Sequence, residues 1–473
     1  MSRPSDEDGR DDMGSRPVEN GVSRIGLLDH LGHGNLGDDA TFTAVMQNIR
    51  RRRPDAAFVG LCLNPLDTAQ RHGVQAYAIR RDSKKPPPSL GIAPPSASQG
   101  KLKAGLRRHP LLLGVLRRIK AGVITRPRAL LSELVFLVES FRVVRSLDML
   151  VFCGGGQLLD SWGGPWGFPY TLWKWVILGR LARVDCLFLN VGAGPIRHSL
   201  SKFFIREALR HARYASFRDE SSRVLVRQIG YHGGAEVRPD NVFALDVSGY
   251  EMQVNGESRV ATVGLSPMVY CDPRVYWEKD QDVYDAFIAK LGAFGVWLLD
   301  NRHGVSLFSS DIRIDQTAID DLLTELNRSA PARFRGAGRI ARRPVATTED
   351  LLHTVASVDY VVTCRFHGVV FAQLLNKPVM ALSHHPKVAV LMSDFGLSEY
   401  CLDIRKCDVQ QMKETFARLV ANREMLQAAM AAKTAEYRQA LADQFEVLFN
   451  PVRYPGRLAH RMLEPAGTGE SGR

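Results

Sequence analysis

Short apolar runs alternate with amphipathic stretches along most of this chain. RIGLLDH at 24–30 is an apolar run with the length of a buried strand. The segment 41–53 that follows has apolar residues at helical spacing, namely Phe42, Val45, Met46 and Ile49. AFVGLCLN at 57–64 is apolar again. Strand, helix and strand in this order predict a βαβ unit of a parallel sheet.

The same alternation returns twice further along the chain. Apolar runs end in the loops GGG at 154–156 and GAG at 192–194, and a third run ends in FRD at 217–219. A second unit begins after residue 254 with VATVGLSPM, and there VWLLD and VSLFSSD also have strand-like composition. Its clearest part is 358–387, which predicts a strand, a loop, a helix and a further strand. We therefore predict an α/β fold with two Rossmann-like domains.

The domain boundaries follow from where this alternation starts, stops and is interrupted. The predicted segments are a disordered tail at 1–22, an N-terminal Rossmann-like domain at 23–250, a C-terminal Rossmann-like domain at 255–405, a helical segment at 406–450 and a tail at 451–473. A basic, proline-rich insertion at 81–146 interrupts the first domain. The insertion begins with KKPPPSLGIAPPSASQGK, which has the composition of a flexible linker.

Positive charge is concentrated in this insertion. The whole chain has a net charge of +12 and a pI near 9.4, and residues 101–128 carry nine Lys or Arg residues and no acidic one. Leucines are interspersed with these charges, as in a basic amphipathic segment that lies on an anionic membrane surface. A helical insertion with a solvated basic face explains the pattern equally well. Nucleic acid is not an expected partner, because the basic run lacks interleaved aromatic residues.

The composition predicts a cytoplasmic protein. The seven cysteines are scattered and include no CxxC pair, so neither a zinc site nor a disulfide framework is expected. Residues 1–22 are polar and mixed in charge, unlike a secretory signal. No apolar run approaches the roughly 20 residues of a transmembrane helix. Any membrane association would then be peripheral, at the inner membrane face.

The loops that follow the predicted strands carry the candidate site. In a parallel sheet these loops share one edge, where helix amino termini and the positive ends of their dipoles favour an anion. Arg365 and His367 follow a strand at this edge of the C-terminal domain, so we expect an acidic substrate. The glycine-rich loop GHGNLGDDA contributes from the N-terminal domain, with Asp38 or Asp39 predicted to cap the next helix. The expected site is the cleft between the two domains.

We expect further contacts to the substrate from the same loops. The amide of Asn35 and the backbone of neighbouring glycines can approach a ligand closely. The predicted substrate-binding residues are Gly34, Asn35, Asp38, Gly154, Gly155, Gly156, Gly192, Gly194, Asp219, Gly368, His385 and Lys387. For the first of these loops, a tight turn with a helix cap is the alternative explanation.

Six motifs, taken in order, resemble those of one family. They are GNLGDDA, VFCGGGQLLD, NVGAGPI, SFRDESS, RPDNVFAL and CRFHGVVFAQLLNKPVMALSHHPK, and they cover roughly residues 24–400. In these motifs the chain resembles the polysaccharide pyruvyl transferases, although the insertion at 81–146 is not part of the family pattern. The resemblance implies two Rossmann-like domains in a GT-B-like arrangement with the active site in the interdomain cleft. It also implies transfer of a pyruvyl group from phosphoenolpyruvate to a sugar of a cell-surface or exopolysaccharide precursor, lipid-linked or nucleotide-linked, with formation of a ketal.

Under this resemblance three residues carry the expected catalysis. Arg218 and Arg365 would bind the carboxylate and phosphate of phosphoenolpyruvate, because a guanidinium donates two parallel hydrogen bonds to either group. His367 would act as general acid or base, since histidine titrates near neutrality. We expect no metal ion, and no cofactor besides the donor phosphoenolpyruvate. The alternatives are a salt bridge from Arg218 to Asp219 or Glu220, and a non-reactive His367 that orients its loop.

Two other functions remain open from the sequence. One is a GT-B-like glycosyltransferase that uses a nucleotide sugar in the same cleft. The other is a catalytically silent polysaccharide-assembly protein that docks to the membrane through residues 101–128.

Overall fold

The structure, a computed structural model, describes residues 23–81, 126–250, 260–330 and 339–451. The predicted tails at 1–22 and 451–473 lie outside these residues, apart from Pro451. The proline-rich linker and most of the basic stretch at 101–128 lie outside them as well.

The N-terminal domain is built on seven parallel strands. The strands are β1 (Arg24–Leu28), β2 (Ala57–Cys62), β3 (Gln75–Ala78), β4 (Met149–Phe152), β5 (Asp185–Val191), β6 (Tyr214–Phe217) and β7 (Glu236–Val237). The helices are α1 (Leu36–Arg52), α2 (Pro65–His72), α3 (Arg126–Arg145), α4 (Phe168–Leu181), α5 (Ser199–His211) and α6 (Glu220–Gln228). The strand order is β3-β2-β1-β4-β5-β6-β7, and every pairing is parallel.

Residues of the central strands show why this sheet lies inside the domain. Leu27 and Leu28 on β1 point to opposite faces of the sheet, and each is fully buried in a separate apolar cluster. Val151 and Phe152 on β4 are divided between the same two clusters. Strands of this kind are apolar throughout, as parallel strands covered on both faces require.

The C-terminal domain repeats this architecture with six parallel strands. They are β8 (Thr262–Ser266), β9 (Gly304–Leu307), β10 (Ile340–Arg342), β11 (Tyr360–Thr363), β12 (Val379–Ser383) and β13 (Cys401–Asp403). The helices are α7 (Gln281–Asp300), α8 (Gln316–Ser329), α9 (Thr348–Ala356), α10 (Phe366–Leu374) and α11 (Pro386–Asp394). The strand order is β10-β9-β8-β11-β12-β13. The predicted α/β fold with two Rossmann-like domains is therefore confirmed.

A long carboxyl-terminal helix contacts both domains. The last two helices are α12 (Val409–Ala421) and α13 (Arg423–Phe449). On α13, Gln444 donates to Asn190 Oδ1 of the N-terminal domain at 3.0 Å. The Thr434 hydroxyl donates to the carbonyl of Gln373 in the C-terminal domain at 3.4 Å. Neither α13 nor any other helix in the described part of the chain has the length and apolar character needed to cross a membrane.

One predicted strand is a helix. VWLLD, at 296–300, forms the last turns of α7. Leu291, Phe294 and Leu298 occupy buried positions at helical spacing, so the apolar face of α7 continues through this segment. A short apolar run does not by itself distinguish a strand from the end of a buried helix.

The predicted cap of α1 was also wrong. The helix begins at Leu36, and its cap is Asn35, whose Oδ1 accepts a hydrogen bond from the N–H of Gly37 at 3.1 Å. Asp38 and Asp39 lie inside the first turn. There their negative charges face the positive end of the helix dipole.

Candidate active site

The site lies where the strand order of each sheet reverses. The reversal falls between β1 and β4 in the first sheet and between β8 and β11 in the second. Ligands of open α/β sheets bind outside the carboxyl ends of the strands at such a point. The loops after β1, β4 and β11 reach this edge, and side chains from both domains meet there.

The loop after β1 is hydrogen-bonded to the C-terminal domain. The N–H of Leu36 donates to the carbonyl of Ser310 at 2.8 Å, and the N–H of Ile312 donates to the carbonyl of Gly34 at 2.9 Å. Gly34 has a φ of +82°, a left-handed backbone that favours glycine. Gly34 and Asn35, both predicted to bind substrate, are thus placed at the interdomain contact, where they shape the loop.

His367 packs directly on the first turn of α1. A Cβ at Gly37 would overlap the imidazole ring, so this close approach depends on glycine. His367 is only 8% exposed, and its Nε2 has no hydrogen-bond partner among the described residues. A buried nitrogen without a partner is costly unless a ligand or water completes it. Nε2 is therefore the atom of His367 that a ligand can engage.

The surroundings of His367 keep its imidazole neutral. Burial lowers the pKa of His367 below its ordinary value. Two carboxylates, Asp240 and Asp38, oppose this effect, and two cations, Lys387 and Arg218, reinforce it. At neutral pH the ring can accept a proton.

Two cations from different domains meet at the ring of Phe366. Arg218 follows β6, and its guanidinium carbon lies 4.7 Å from the ring centroid. Lys387 lies in the first turn of α11, and its Nζ lies 5.5 Å from the same centroid. A Cβ at Gly192 would lie 2.6 Å from the guanidinium of Arg218, so glycine in the GAG loop makes room for this side chain. Both cations are favoured by the electron-rich ring.

These two cations are only loosely neutralised. Arg218 is 3.5 Å from Asp240 and 3.5 Å from Asp219, which is long for a charged hydrogen bond. Lys387 has no carboxylate within ion-pair distance in the described part of the chain. Burial, together with Arg218 and Arg365, lowers the pKa of Lys387 to about 8. An anion placed beside Lys387 would relieve this unfavourable environment.

Arg365 is held by carboxylates of its own domain. Its Nε and Nη2 donate to Asp315 at 2.8 and 2.6 Å, and Asp311 lies 3.7 Å from Nη2. The two carboxylates occupy the edge of the guanidinium formed by Nε and Nη2, so a ligand can reach Arg365 only at the opposite edge. Burial raises the pKa of Asp311 to about 6. Arg365 acts to lower this pKa, and the carboxylate of Asp315 acts to raise it.

One histidine and two carboxylates form a buried cluster close to His367 and Lys387. His30 lies between two carboxylates, with Nδ1 2.8 Å from Asp29 and Nε2 2.9 Å from Asp38. Burial opposes protonation of His30, but the two carboxylates outweigh it and raise the pKa of His30 well above its ordinary value. A Cβ at Gly155 would lie 2.9 Å from the ring of His30. Asp38, predicted to bind substrate, is thus paired with a histidinium.

The remaining glycines of the GGG loop have distinct roles. Gly154 and Gly155 have φ values of +109° and +68°, so the loop requires glycine for its backbone. Gly156 faces Arg218, with 4.0 Å between its Cβ position and Nη2 of the arginine. This loop therefore lies beside the cations, as an anion-binding loop would.

Two other predicted glycines are explained by packing. A Cβ at Gly194 would meet Leu159 at 3.1 Å, and a Cβ at Gly368 would overlap Thr363. Neither glycine contacts Arg218, and both allow neighbouring segments to approach closely.

Two polar residues predicted to bind substrate also cap helices. Asp219 accepts a hydrogen bond from the N–H of Ser222 at 2.7 Å at the start of α6. His385 Nδ1 accepts from the N–H of Lys387 at 3.3 Å at the start of α11. Asp219 directly follows Arg218 in the chain, and the cap by His385 fixes the start of the helix that carries Lys387.

Several residues of the cleft were not predicted, among them Asp29, His30, Asp240 and Phe366. Asp29 and His30 end the apolar strand RIGLLDH, and two ionisable residues at the carboxyl end of a buried strand were the available signal. Asp240 and Phe366 lie inside the motifs RPDNVFAL and CRFHG. Their roles depend on which side chains the fold brings opposite them, which spacing does not reveal.

A cavity of about 640 Å³ opens beside the two cations. Arg218 and Asp240 line it from the N-terminal domain, Phe366 and Lys387 from the C-terminal domain, and Tyr437 from α13. A second cavity of about 640 Å³ lies between 209 and 236 in the N-terminal domain, and none of the predicted site residues lines it.

Comparison with known proteins indicates one family and one fold. The family model described as polysaccharide pyruvyl transferase matches residues 35–386. No curated protein sequence matches the chain significantly.

Several solved structures share the fold. A putative UDP-N-acetylglucosamine 2-epimerase from Listeria monocytogenes has a TM-score of 0.53 at 8% identity, over 91% of this chain and 99% of that one. S. aureus MnaA in a co-structure with UDP has a TM-score of 0.51 at 9% identity, over 92% and 96% of the two chains. The UDP-GlcNAc 2-epimerase from Methanocaldococcus jannaschii has a TM-score of 0.50 at 9% identity, over 83% and 92%. At these identities the likeness establishes the fold alone, a GT-B-like arrangement of two Rossmann-like domains.

Proposed function

The chain belongs to the polysaccharide pyruvyl transferase family, and from this premise we propose that it transfers a pyruvyl group from phosphoenolpyruvate to a sugar of a cell-surface or exopolysaccharide precursor, forming a pyruvate ketal. The observation that carries the proposal is the meeting of Arg218 and Lys387, from opposite domains, at the ring of Phe366. His367, with its unpartnered Nε2, belongs to the same cluster.

The donor explains why cations from both domains would be needed. Phosphoenolpyruvate carries a carboxylate and a phosphate on one small molecule. Arg218 suits either group because its planar fork can bind two oxygens at once, and Lys387 acts as a point charge. The free side of Arg365 supplies a third contact. Because the cations belong to different domains, binding of the donor would also hold the cleft together.

The reaction balances without any further reactant. The C2 atom of phosphoenolpyruvate forms bonds to two sugar oxygens and loses its bond to the phosphate oxygen. The methylene carbon gains one proton and becomes a methyl group. The two hydroxyl groups lose two protons, of which one is transferred to the methylene carbon and the other leaves with the phosphate. A group that first accepts and then donates a proton is therefore sufficient.

We propose His367 for this proton transfer. Its neutral ring can take a proton from an acceptor hydroxyl at Nε2 and return it as an acid. The cations at the cleft would take up charge on the departing phosphate, so we propose that no metal ion and no cofactor besides the donor are required.

A nucleotide-sugar glycosyltransferase in the same cleft is the second candidate. The names of similar structures refer to UDP or UDP-sugars, and a diphosphate would use the same cations. This candidate predicts release of a nucleoside diphosphate. A catalytically silent assembly protein would instead tolerate substitution of both Arg218 and His367 without a change in glycan structure.

The test is acceptor-dependent phosphate release from phosphoenolpyruvate by the full-length protein. The acceptor is a lipid-linked glycan fraction whose competence has been shown with a separate enzyme. We expect Arg218→Ala, Lys387→Ala and His367→Gln each to reduce the rate by about a hundredfold or more, the range of positioned charges and general bases.

Matched controls change the same residue types outside the cluster. Arg223→Ala removes an arginine that pairs with Glu220, and Lys413→Ala changes a lysine of α12 that does not line the cavity beside the two cations. His232→Gln alters an exposed histidine. We expect all three controls to stay close to wild type. Nucleoside diphosphate release with no phosphate release would favour the second candidate.

A further inference from the structure

Helix α3 is apolar on two faces, and only one of them is packed. Phe136 is buried beside α4, where Lys174 Nζ lies 4.4 Å from its ring centroid, and Val144 is buried in the core. The opposite face is more than half exposed at four positions of helical spacing, Leu131, Leu134, Val135 and Val138. Contiguous exposed apolar side chains mark an interaction site far more often than scattered ones do.

Aromatic side chains extend this surface toward the beginnings of α4 and α5. Trp166 is 66% exposed and Phe203 is 42% exposed. Tyr170 joins them to α3, because its ring centroid lies 5.4 Å from that of Trp166 and its hydroxyl 3.5 Å from the carboxylate of Glu133. We define the outer patch as the exposed side chains of Leu131, Leu134, Val135, Val138, Trp162, Trp166, Leu200 and Phe203.

The outer patch ends at the cleft. Trp162 is 56% exposed, and its ring centroid lies 6.3 Å from that of His30. His30 is in turn paired with Asp38, at 2.9 Å. Trp162 and Trp166 belong to the connection between β4 and α4, the same connection that contains the GGG loop. One end of the outer patch therefore lies within one side chain, His30, of the Asp38 carboxylate beside the site.

Basic side chains flank the outer patch. Arg142 and Arg145 on α3 and Lys202 on α5 are exposed, against one exposed carboxylate on α3, Glu139, within residues 131–145. In the sequence, residues 101–128, which include the first residues of α3, carry nine Lys or Arg residues and no acidic one. An apolar surface rimmed by positive charge is complementary to anionic headgroups above an apolar interior.

We propose that the outer patch docks the protein on an anionic lipid bilayer. The leucine, valine and phenylalanine side chains enter the headgroup boundary, where the indoles of Trp162 and Trp166 are also favoured. The arginine and lysine heads remain at the phosphate level while their stems cover apolar surface.

The positive rim favours a bilayer over other occupants. A second copy of this chain would bring two positive rims together, which like-charge repulsion opposes. The segment 82–125 of the same chain is itself rich in Lys and Arg, and it would meet the same repulsion. A bilayer that contains anionic lipid supplies the missing negative charge.

Docking at this place also indicates the acceptor class, a consequence that rests on the proposed function. With the outer patch on the bilayer, Trp162 would hold the Asp38 side of the site close to the membrane surface. A sugar attached to a membrane lipid would then reach the cleft without leaving the bilayer. Docking itself requires no turnover, so the two claims can fail separately.

The first experiment is vesicle flotation of the full-length protein. Vesicles are made of phosphatidylcholine alone or of phosphatidylcholine with phosphatidylglycerol. We expect binding only with the anionic lipid. Leu134→Ser and Trp166→Ala should each weaken binding by about tenfold, the size of effect expected when a buried large apolar side chain is lost.

Matched controls change equally exposed side chains elsewhere. Trp277→Ala and Met425→Ser alter residues that are 81% and 62% exposed outside the outer patch. These variants should bind vesicles like wild type. Binding that is equal on neutral vesicles, absent altogether, or insensitive to Leu134→Ser and Trp166→Ala would overturn the proposal.

A second experiment distinguishes the other occupants. An environment-sensitive fluorophore on Leu134→Cys should shift to the blue when anionic vesicles are added and not before. A blue shift that depends on protein concentration without lipid would assign the surface to a second copy. A blue shift present at high dilution without lipid would assign it to the chain's own segment. The same fluorophore on Met425→Cys is the control.

The acceptor claim has its own readout. We expect vesicle-borne glycan lipid to be used far better than the same glycan released from its lipid, and Leu134→Ser to remove this preference without lowering the rate on released glycan. Vesicle binding with no such preference would overturn the acceptor claim and leave the docking site standing. If the wild-type protein binds vesicles normally but is inactive on both acceptors, the proposed function fails and the docking site stands.

Discussion

Among the three cations of the cleft, Lys387 is the one whose charged form is least stable. Burial and the neighbouring cations Arg218 and Arg365 lower its pKa to about 8. The two arginines stay charged at any pH that the fold survives. Among these three cations, therefore, only Lys387 can lose its charge near physiological pH.

The pH dependence of donor use should report this lysine. Below pH 8 the ammonium is charged and favours the anionic donor, and above pH 8 the charge is lost. We expect kcat/KM for phosphoenolpyruvate to fall by up to about tenfold per pH unit above pH 8, because this ratio follows the free enzyme. In Lys387→Arg the alkaline fall should disappear. A fall of the same size in Lys387→Arg would show that another group titrates.

Single residues differ in how far sequence could predict them. Arg218 and His367 were predicted because arginine and histidine follow strands at the expected edge, and the structure brings both to one cluster. The pairing of Arg365 with Asp315 was not predictable, because Asp315 follows a different strand 50 residues earlier. His30 was missed because it closes an otherwise apolar strand.

At the scale of elements, glycines decide where the functional side chains sit. Gly37 opens the first turn of α1 to His367, and Gly192 opens the GAG loop to Arg218. Glycine-rich loops were recognisable in the sequence, but the side chain that each loop admits belongs to a distant segment. Length and composition of a loop carry no information about that partner.

Added methyl groups at these glycines should act on the neighbouring side chains. We expect Gly37→Ala to displace His367 and Gly192→Ala to displace Arg218, since real side chains cannot tolerate contacts that short. Activity should fall by about tenfold or more in each variant, because even a small displacement of a catalytic group lowers the rate strongly. Gly234→Ala is the matched control, because no atom lies within 4 Å of its Cβ position.

Circular dichroism and thermal unfolding would separate displacement from misfolding. Each variant should keep the far-ultraviolet spectrum of wild type. Full activity in Gly192→Ala with a native spectrum would contradict the assigned position of Arg218.

At the level of the whole molecule, several contacts join the two domains, and two of them show how the domains are held. The first is the backbone contact between Gly34 and Ile312, and the second is α13 with its Gln444. The two Rossmann-like domains were predictable from the sequence, because local runs of apolar residues predict the strands of each sheet. Their contact was not, because it joins loops almost three hundred residues apart.

Asp311, between the interdomain contact residues Ser310 and Ile312, makes the stability of the protein sensitive to pH. Its pKa in the folded protein is raised to about 6 from an ordinary value of 3.8. The folded state therefore holds this proton more tightly than the unfolded state does. The resulting stabilisation is full below about pH 4 and is lost as pH rises through 6, on the order of 3 kcal/mol.

The variant Asp311→Asn should remove this pH dependence. We expect its melting temperature to exceed that of wild type at pH 7.5 and to approach the wild-type value near pH 4.5. Asp55→Asn, at an exposed site, is the control. A variant that is less stable than wild type at pH 7.5 would mean that the ion pair with Arg365 outweighs the cost of the buried charge.

The central claim is ketal transfer, and the most direct measurement follows the carbon atoms. Wild-type protein is incubated with phosphoenolpyruvate carrying ¹³C at its methylene carbon and with the competent acceptor fraction, and the purified glycan is examined by NMR. We expect a labelled methyl group on the glycan in equal amount to the phosphate released, and no label with His367→Gln. Phosphate released without label on the glycan, or labelled glycan formed equally by His367→Gln, would contradict it.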